Sequence, residues 1–234
     1  MSIELIIEYN DHRKSYPIRP GTVGSSVVDL TGFHDDFSLF TLDRGFKTTA
    51  SSVSSICYID GEQGELLYRG YPIEELAENV NYLTVCYLLL YGELPTKDGL
   101  HSFVAQIKKH QDIPAFIHDI LASIPPETHP MCTLTTLVSA LSSELKSESL
   151  GKNLSLRYKA AIEIIAKMPV LVAMVYRHSQ KLPPIAPSTS LPYIENFLYM
   201  YHGQVPTPDQ VQAMDVILTL HADHEQNAST STVR

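Results

Sequence analysis

His221-Ala222-Asp223-His224-Glu225-Gln226-Asn227-Ala228-Ser229-Thr230-Ser231-Thr232-Val233-Arg234 gathers histidines, carboxylates, amides and a run of hydroxyls behind the apolar segment Val216-Ile217-Leu218-Thr219-Leu220. The helix carrying that segment has a legible start at Pro206-Thr207-Pro208-Asp209. Thr207 suits the N-cap, Pro208 the first helical position, and Asp209 is a first-turn acid facing the positive end of the dipole. Val211, Met214, Ile217 and Leu218 then recur at helical spacing. This places the polar cluster at the end of a buried helix, where packing holds side chains while their heads converge on a cleft.

Three chemistries compete for the cluster. His221 and His224 stand three apart and share a helical face, with Glu225 one turn beyond His221. A metal site is the first, but its familiar orders are His-Glu-x-x-His and His-x-x-Glu-His, and His-x-x-His-Glu is neither. The second is a pair of helix-terminal histidines facing the last carbonyls. The third is a site for an anionic carbonyl compound, with His and Asn as donors.

Composition narrows the field. With 234 residues, 44% hydrophobic, the chain can bury a sizeable core. A net charge of −9 argues against nucleic acid or an anionic membrane surface as partner. Cys57, Cys86 and Cys132 are widely spaced in apolar or small-residue surroundings and read as buried free thiols of a reducing compartment. The N-terminus has no signal-peptide pattern and no apolar run is long enough to span a bilayer, so a soluble cytoplasmic protein is expected.

Working back from the quoted stretch, the chain divides into a β-rich start and a helical remainder. Residues 3–9 and 15–18 read as strands about the turn residues Asn10-Asp11, and residues 41–46 as a further extended piece. A second hairpin is signalled by residues 56–59 and 65–68 flanking Asp60-Gly61-Glu62-Gln63-Gly64. Pro72 marks the first turn of a helix. Helices are then expected over residues 82–91, ended by Gly92, and over 97–110, 114–123, 131–145, 155–178 and 192–200. The helix over 155–178 is apolar on two faces, so it needs two partners, as a core helix or as an interface helix. Pro169 should kink it. Pro183-Pro184-Ile185-Ala186-Pro187 reads as a loop within one domain. The expected division is 1–50, β-rich, and 51–234, the helical part of a larger domain.

The run from His221 to Thr232 resembles the oxaloacetate-site signature of citrate synthases. So do Tyr58-Ile59-Asp60-Gly61-Glu62, Tyr68-Arg69-Gly70-Tyr71-Pro72-Ile73-Glu74-Glu75-Leu76-Ala77, His129-Pro130-Met131 and Lys167-Met168-Pro169 with other landmarks of that family. The N-terminal strand region is similar to the bacterial type. The resemblance implies a mainly α, multi-helical fold with small N-terminal β hairpins. It also implies an acyltransferase that joins acetyl-CoA to oxaloacetate, giving citrate and CoA in the tricarboxylic acid cycle, with no metal and no cofactor beyond the acetyl-CoA substrate. By the same resemblance His224 donates to oxaloacetate, Asn227 lines the pocket, Ser229 holds a catalytic histidine, and His221 and Asp223 are support. A homodimer or higher oligomer is implied, paired through the helices over 131–145 and 155–178.

The family's principal catalytic residues and its CoA site would lie beyond Arg234, so the chain is expected to be an N-terminal portion, inactive alone. NADH inhibition in bacterial relatives directs attention to Lys108-Lys109-His110, Glu163 and Lys167; the acid among them would repel a phosphate, and no site is assigned there. A non-catalytic helical interaction or dimerisation protein and a 2-methylcitrate synthase are the alternatives. Asp223-His224-Glu225-Gln226 favours citrate.

Overall fold

The computed structural model describes residues 3–45, 47–50, 52–144 and 153–223. Two small antiparallel sheets open the chain. In the first, β1 (Glu4–Tyr9), β2 (His12–Arg19) and β3 (Val27–Val28) lie in that order, Tyr9 pairing with His12 across the Asn10-Asp11 turn. Asn10 takes the left-handed φ of 52° that a two-residue hairpin turn demands and asparagine tolerates. The short α1 (Phe33–Phe37) packs its rings on the buried Tyr16, whose hydroxyl donates to Asp36 Oδ2 at 2.9 Å.

The expected extended piece over 41–46 does not form in its described residues, 41–45. Asp43 instead gathers the loop around itself, accepting from the Lys47 and Thr48 amides and from the Thr48 and Thr49 hydroxyls. A short acceptor side chain here outcompetes a strand.

The second sheet holds β4 (Cys57–Asp60), β5 (Glu65–Tyr68) and β6 (Tyr71–Pro72). Asp60 closes the first turn by accepting the Glu62 and Gln63 amides at 3.0 Å. Arg69 (φ 52°) and Gly70 (φ 88°) make the second. A left-handed arginine is uncommon, and its guanidinium is tied down by Ser55 and by Leu89 O at 2.7 Å. Because Pro72 still pairs with Leu67, it serves as N-cap and not as the first helical residue: α2 begins one position later (Ile73–Asn79).

The helical body comprises α3 (Tyr82–Tyr91), α4 (Lys97–Lys109), α5 (Ala115–Ser123), α6 (Pro130–Leu141), α7 (Leu154–Ser179), α8 (Tyr193–His202) and α9 (Pro208–Leu220). Asn81 and Thr96 cap α3 and α4 with their side chains, and Gly92 ends α3 with a φ of 90°. Leu121, Leu137, Val170, Leu171, Met174 and Met200 form one buried cluster between α5, α6, α7 and α8. Cys86, Phe103, Ile107, Ile162 and Ala166 form a second between α3, α4 and α7. Tyr68, Ile73, Leu76, Val85 and Leu88 form a third.

α7 runs unbroken through Pro169. Proline removes the amide that would bond to the carbonyl four residues earlier, that of Ile165. The Tyr193 hydroxyl, reaching over from α8, donates to that carbonyl at 2.7 Å. From Val170 to Val175 all but Val172 are buried, which settles this stretch of α7 as core within the chain; Val138 on α6 and Ile164 on α7, 37% and 41% exposed, face outward. From the last turn of α7 the Arg177 guanidinium holds the proline-rich loop through Pro183 O at 2.6 Å, and buried Asn196 brackets Ser188 at both backbone groups. The loop is thus bonded to both α7 and α8.

Two further expectations need correction. Of the three cysteines only Cys86 is buried; Cys57 is half-buried and Cys132, one residue past Met131 in the first turn of α6, is exposed. And α9 is not a buried helix. Only Thr219 is fully covered, while Ile217 is 49% exposed. In the described structure α9 packs one side against α2, α3 and α8 and leaves the other open.

Candidate functional site

The candidate site begins where α9 ends. Its start is fixed by a capping box: Thr207 Oγ1 accepts the Gln210 amide and the Gln210 side chain accepts the Thr207 amide at 2.9 Å. Midway along, the Asp215 carboxylate turns to the first amide of α3, both oxygens lying 3.1 Å from Tyr82 N. An acid at a helix N-terminus satisfies an orphan donor and meets the positive end of the dipole. Burial pushes this carboxyl above its ordinary range, and the Tyr82 amide pulls partly back. Beside it, burial pushes the Cys86 thiol up to about 12 and raises the Tyr82 and Tyr193 phenols. These groups therefore stay protonated at neutral pH and supply no nucleophile. They form the dry wall behind the helix.

At its end α9 is held by a residue 155 positions earlier in the chain. Tyr68 is fully buried in β5, and its hydroxyl donates to Asp223 O at 3.0 Å, with Leu220 O at 3.3 Å as alternative acceptor. The same oxygen accepts the Asp223 amide at 3.2 Å. Burial raises the Tyr68 phenol, so it remains a donor. Ala222 packs against the same apolar cluster.

Of the sequence-predicted site residues, the structure places two. His221 is the C-cap of α9, its Nδ1 2.8 Å from Ile217 O, an exposed position against the last turn. Asp223 sits half-buried at the Tyr68 hydroxyl. His224, Asn227 and Ser229, with Glu225, lie outside the described residues. Among the described residues no three His, Cys, Asp or Glu side chains come together as a metal set.

Part of the basic cluster considered for NADH has partners within the chain. Lys167 Nζ donates to His110 O at 3.1 Å, and Glu163 lies 3.9 Å from both His110 Nδ1 and Lys159 Nζ. Among the described residues, the cleft beside Glu163 and Lys167 measures about 20 Å³, room for a water. A wider groove of about 330 Å³ opens between Asp112, His118, Val170, Met174 and the proline-rich loop.

Residue-by-residue reading of the sequence missed Tyr68 and Asp215 as the groups that hold α9 in place. Tyr68 had a signal, since it opens one of the quoted landmark runs. Asp215 had none, because its partner is a backbone amide 133 residues away.

Residues 45–234 match the family described as citrate synthase, C-terminal domain. Among solved structures, the citrate synthase of Pyrobaculum aerophilum is 38% identical over 79% of this chain and 48% of its own, with a TM-score of 0.73. That of Thermotoga maritima is 31% identical over 81% and 49%, at 0.69. That of Thermoplasma acidophilum, solved in a ternary complex with carboxymethyl coenzyme A and oxaloacetate, is 29% identical over 82% and 50%, at 0.75. The chain thus spans about half the length of the structures it matches. Among the described residues, no helix is long and apolar enough to cross a membrane.

Proposed function

The chain belongs to the citrate synthase family, and from that premise we propose that it supplies the oxaloacetate-facing part of an acyltransferase making citrate and CoA from acetyl-CoA and oxaloacetate in the tricarboxylic acid cycle. His224 donates to oxaloacetate, Asn227 lines the pocket, Ser229 holds a catalytic histidine outside these 234 residues, and His221 and Asp223 support the arrangement. Acetyl-CoA enters as a substrate, and no metal is used. The reading includes a cytoplasmic, bacterial-type member, β-rich over 1–50 and helical over 51–234, acting as a homodimer or higher oligomer. The observation that carries it is the anchored helix end. The residues offered as ligands directly follow a position whose amide and carbonyl are both held, as a binding site requires.

The condensation needs a base for a weakly acidic methyl group and donors for the enol and the ketone. Neither described carboxylate on α9 lies at its C-terminal end. Asp215 caps α3, and exposed Asp209 lies in the first turn, about 16 Å from Leu220 along the axis at 1.5 Å per residue. On this reading the 234-residue chain alone binds oxaloacetate and does not turn it over. The test mixes purified chain, acetyl-CoA and oxaloacetate with a thiol reagent, beside calorimetry with oxaloacetate alone. Heat of binding without CoA release is expected. Turnover near that of an intact citrate synthase would show the base to be within these residues, and absence of both would overturn the reading.

A non-catalytic dimerisation role is the second reading, favoured by Met131, Val138 and Ile164, which are 59%, 37% and 41% exposed on α6 and α7.

A further inference from the structure

We propose that β1 is a docking edge: it takes an extended segment of another protein, with basic residues flanking an apolar one, as a fourth strand of the first sheet. Among the described residues β1 has β2 as its one strand neighbour. Its register shows which backbone groups are free. Opposed residues of an antiparallel pair alternate between those that exchange hydrogen bonds and those that do not. The Ile18 amide donates to Ile3 O at 2.9 Å. At steps of two from Ile3, the backbones of Leu5, Ile7 and Tyr9 therefore also turn to their partners Tyr16, Lys14 and His12. The N–H and C=O groups of Glu4, Ile6 and Glu8 point the other way, off the edge of the sheet.

Proteins blunt such an edge with proline, lysine or a bulge. β1 carries none of these: its pairing runs without a break from Glu4 to Tyr9. Side chains alternate between faces, so Glu4, Ile6 and Glu8 share the face away from buried Tyr16 and α1, and all three are exposed, Ile6 at 53%. The sheet precedes residues 45–234, which match the citrate synthase family, and the proposed reaction makes no use of it. Charge selects the occupant. Opposite charges directly across two strands favour pairing and like charges oppose it. A segment reading basic-x-apolar-x-basic meets Glu8, Ile6 and Glu4 in turn, and the chain's net charge of −9 draws it in. A second copy fits poorly, because the antiparallel register that joins all three outward residues of two copies sets Glu4 against Glu8 twice. Glu8 already has Arg13 across from it on β2, whereas Glu4 faces Pro17, so Glu4 is the stronger draw for a cation.

The test uses the 234-residue chain and two synthetic peptides, Thr-Lys-Val-Val-Val-Lys-Thr and its counterpart with glutamate for lysine, with amide exchange read residue by residue. Without peptide, the Glu4, Ile6 and Glu8 amides should exchange freely and those of Leu5 and Ile7 slowly. Protection of the first set in the free chain means that the edge is already covered, and overturns the proposal. With the lysine peptide at about ten times its dissociation constant, the Glu4, Ile6 and Glu8 amides should slow about tenfold. The lysine peptide should bind about tenfold more tightly than the glutamate one, about threefold for each of two pairs. Glu4→Lys with Glu8→Lys should reverse that preference. Ile6→Pro removes an outward amide where an edge strand tolerates proline, and should abolish binding. Equal affinity for the two peptides overturns the choice of partner, and binding without the alternating protection overturns the edge. If neither peptide binds, the two glutamates only keep copies apart and the proposal fails. A dimer that Ile6→Pro converts to a monomer gives the edge to a second copy instead.

Discussion

Tyr193→Phe tests how α7 survives its proline. The substitution keeps the ring, and with it the stack on Tyr82 at a centroid distance of 6.0 Å, and deletes only the hydroxyl 2.7 Å from Ile165 O. Pro169 offers that carbonyl no amide, so the variant leaves it without either donor. An unsatisfied, desolvated acceptor costs about 1–3 kcal/mol. Tyr193 and Ile165 are only half-buried, so the lower half applies, about 1–2 kcal/mol. For a chain of this size each kcal/mol lowers the melting temperature by roughly 2–4 °C. The assay is urea and thermal unfolding of four proteins: the parent, Tyr193→Phe, Pro169→Ala and the double variant. Pro169→Ala restores the helical amide, so in that background the loss of the hydroxyl should be nearly silent, giving a coupling energy of about 1–2 kcal/mol. Equal losses in both backgrounds would refute the reasoning and leave Tyr193 as ordinary packing.

His224→Ala, in a full-length version of the enzyme, should weaken oxaloacetate binding roughly tenfold to hundredfold, as a hydrogen bond to a charged ligand worth about 1.5–3 kcal/mol implies, whereas His221→Ala should act mainly on thermal stability; equal kinetic effects would contradict the division of roles. Ile164→Lys with Val138→Lys should lower the mass seen by light scattering if α6 and α7 pair two copies, and an unchanged mass would place the contact elsewhere. Leu171 and Val175 are poor choices for that experiment, since both are buried in the chain's own core and lysine there would unfold it. Asp215→Asn should flatten the pH dependence of stability. Its folded carboxyl is raised above the ordinary 3.8, so its folded form binds more protons than the unfolded and stability falls as pH climbs through the window just above that value. Urea midpoints across the window check this, and an undiminished slope in the asparagine variant would assign it to another group.

The helix boundaries were legible wherever one residue type is forced by local geometry. Gly92 takes the left-handed φ that closes α3, and Thr207 with Pro208 opens α9. Both depend only on neighbours a few positions away. What stayed hidden depends on partners far along the chain. The five residues of α1 form because Phe33 and Phe37 have the Tyr16 ring to pack on. The apolar spacing of Val211, Met214, Ile217 and Leu218 told which positions repeat on α9, but not how much surface the chain has to cover them. The site was legible as a motif and not as a geometry. The string from His221 to Thr232 points to a chemistry, while the groups that hold the helix before it, Tyr68 and Asp215, act across 155 and 133 positions.

That separation has a cost in time. Ribosomes add about 5–20 residues per second, so once Tyr68 is made, roughly 8–30 s pass before Asp223 exists, 155 residues later. Throughout that interval the second hairpin, α2 and α3 can collapse on one another, yet their cluster still lacks Ala222 and its tyrosine hydroxyl still lacks its backbone partners. A nascent chain is thus left for many seconds with a half-closed apolar seam, and slower synthesis over the last helices should lengthen its exposure to chaperones in proportion.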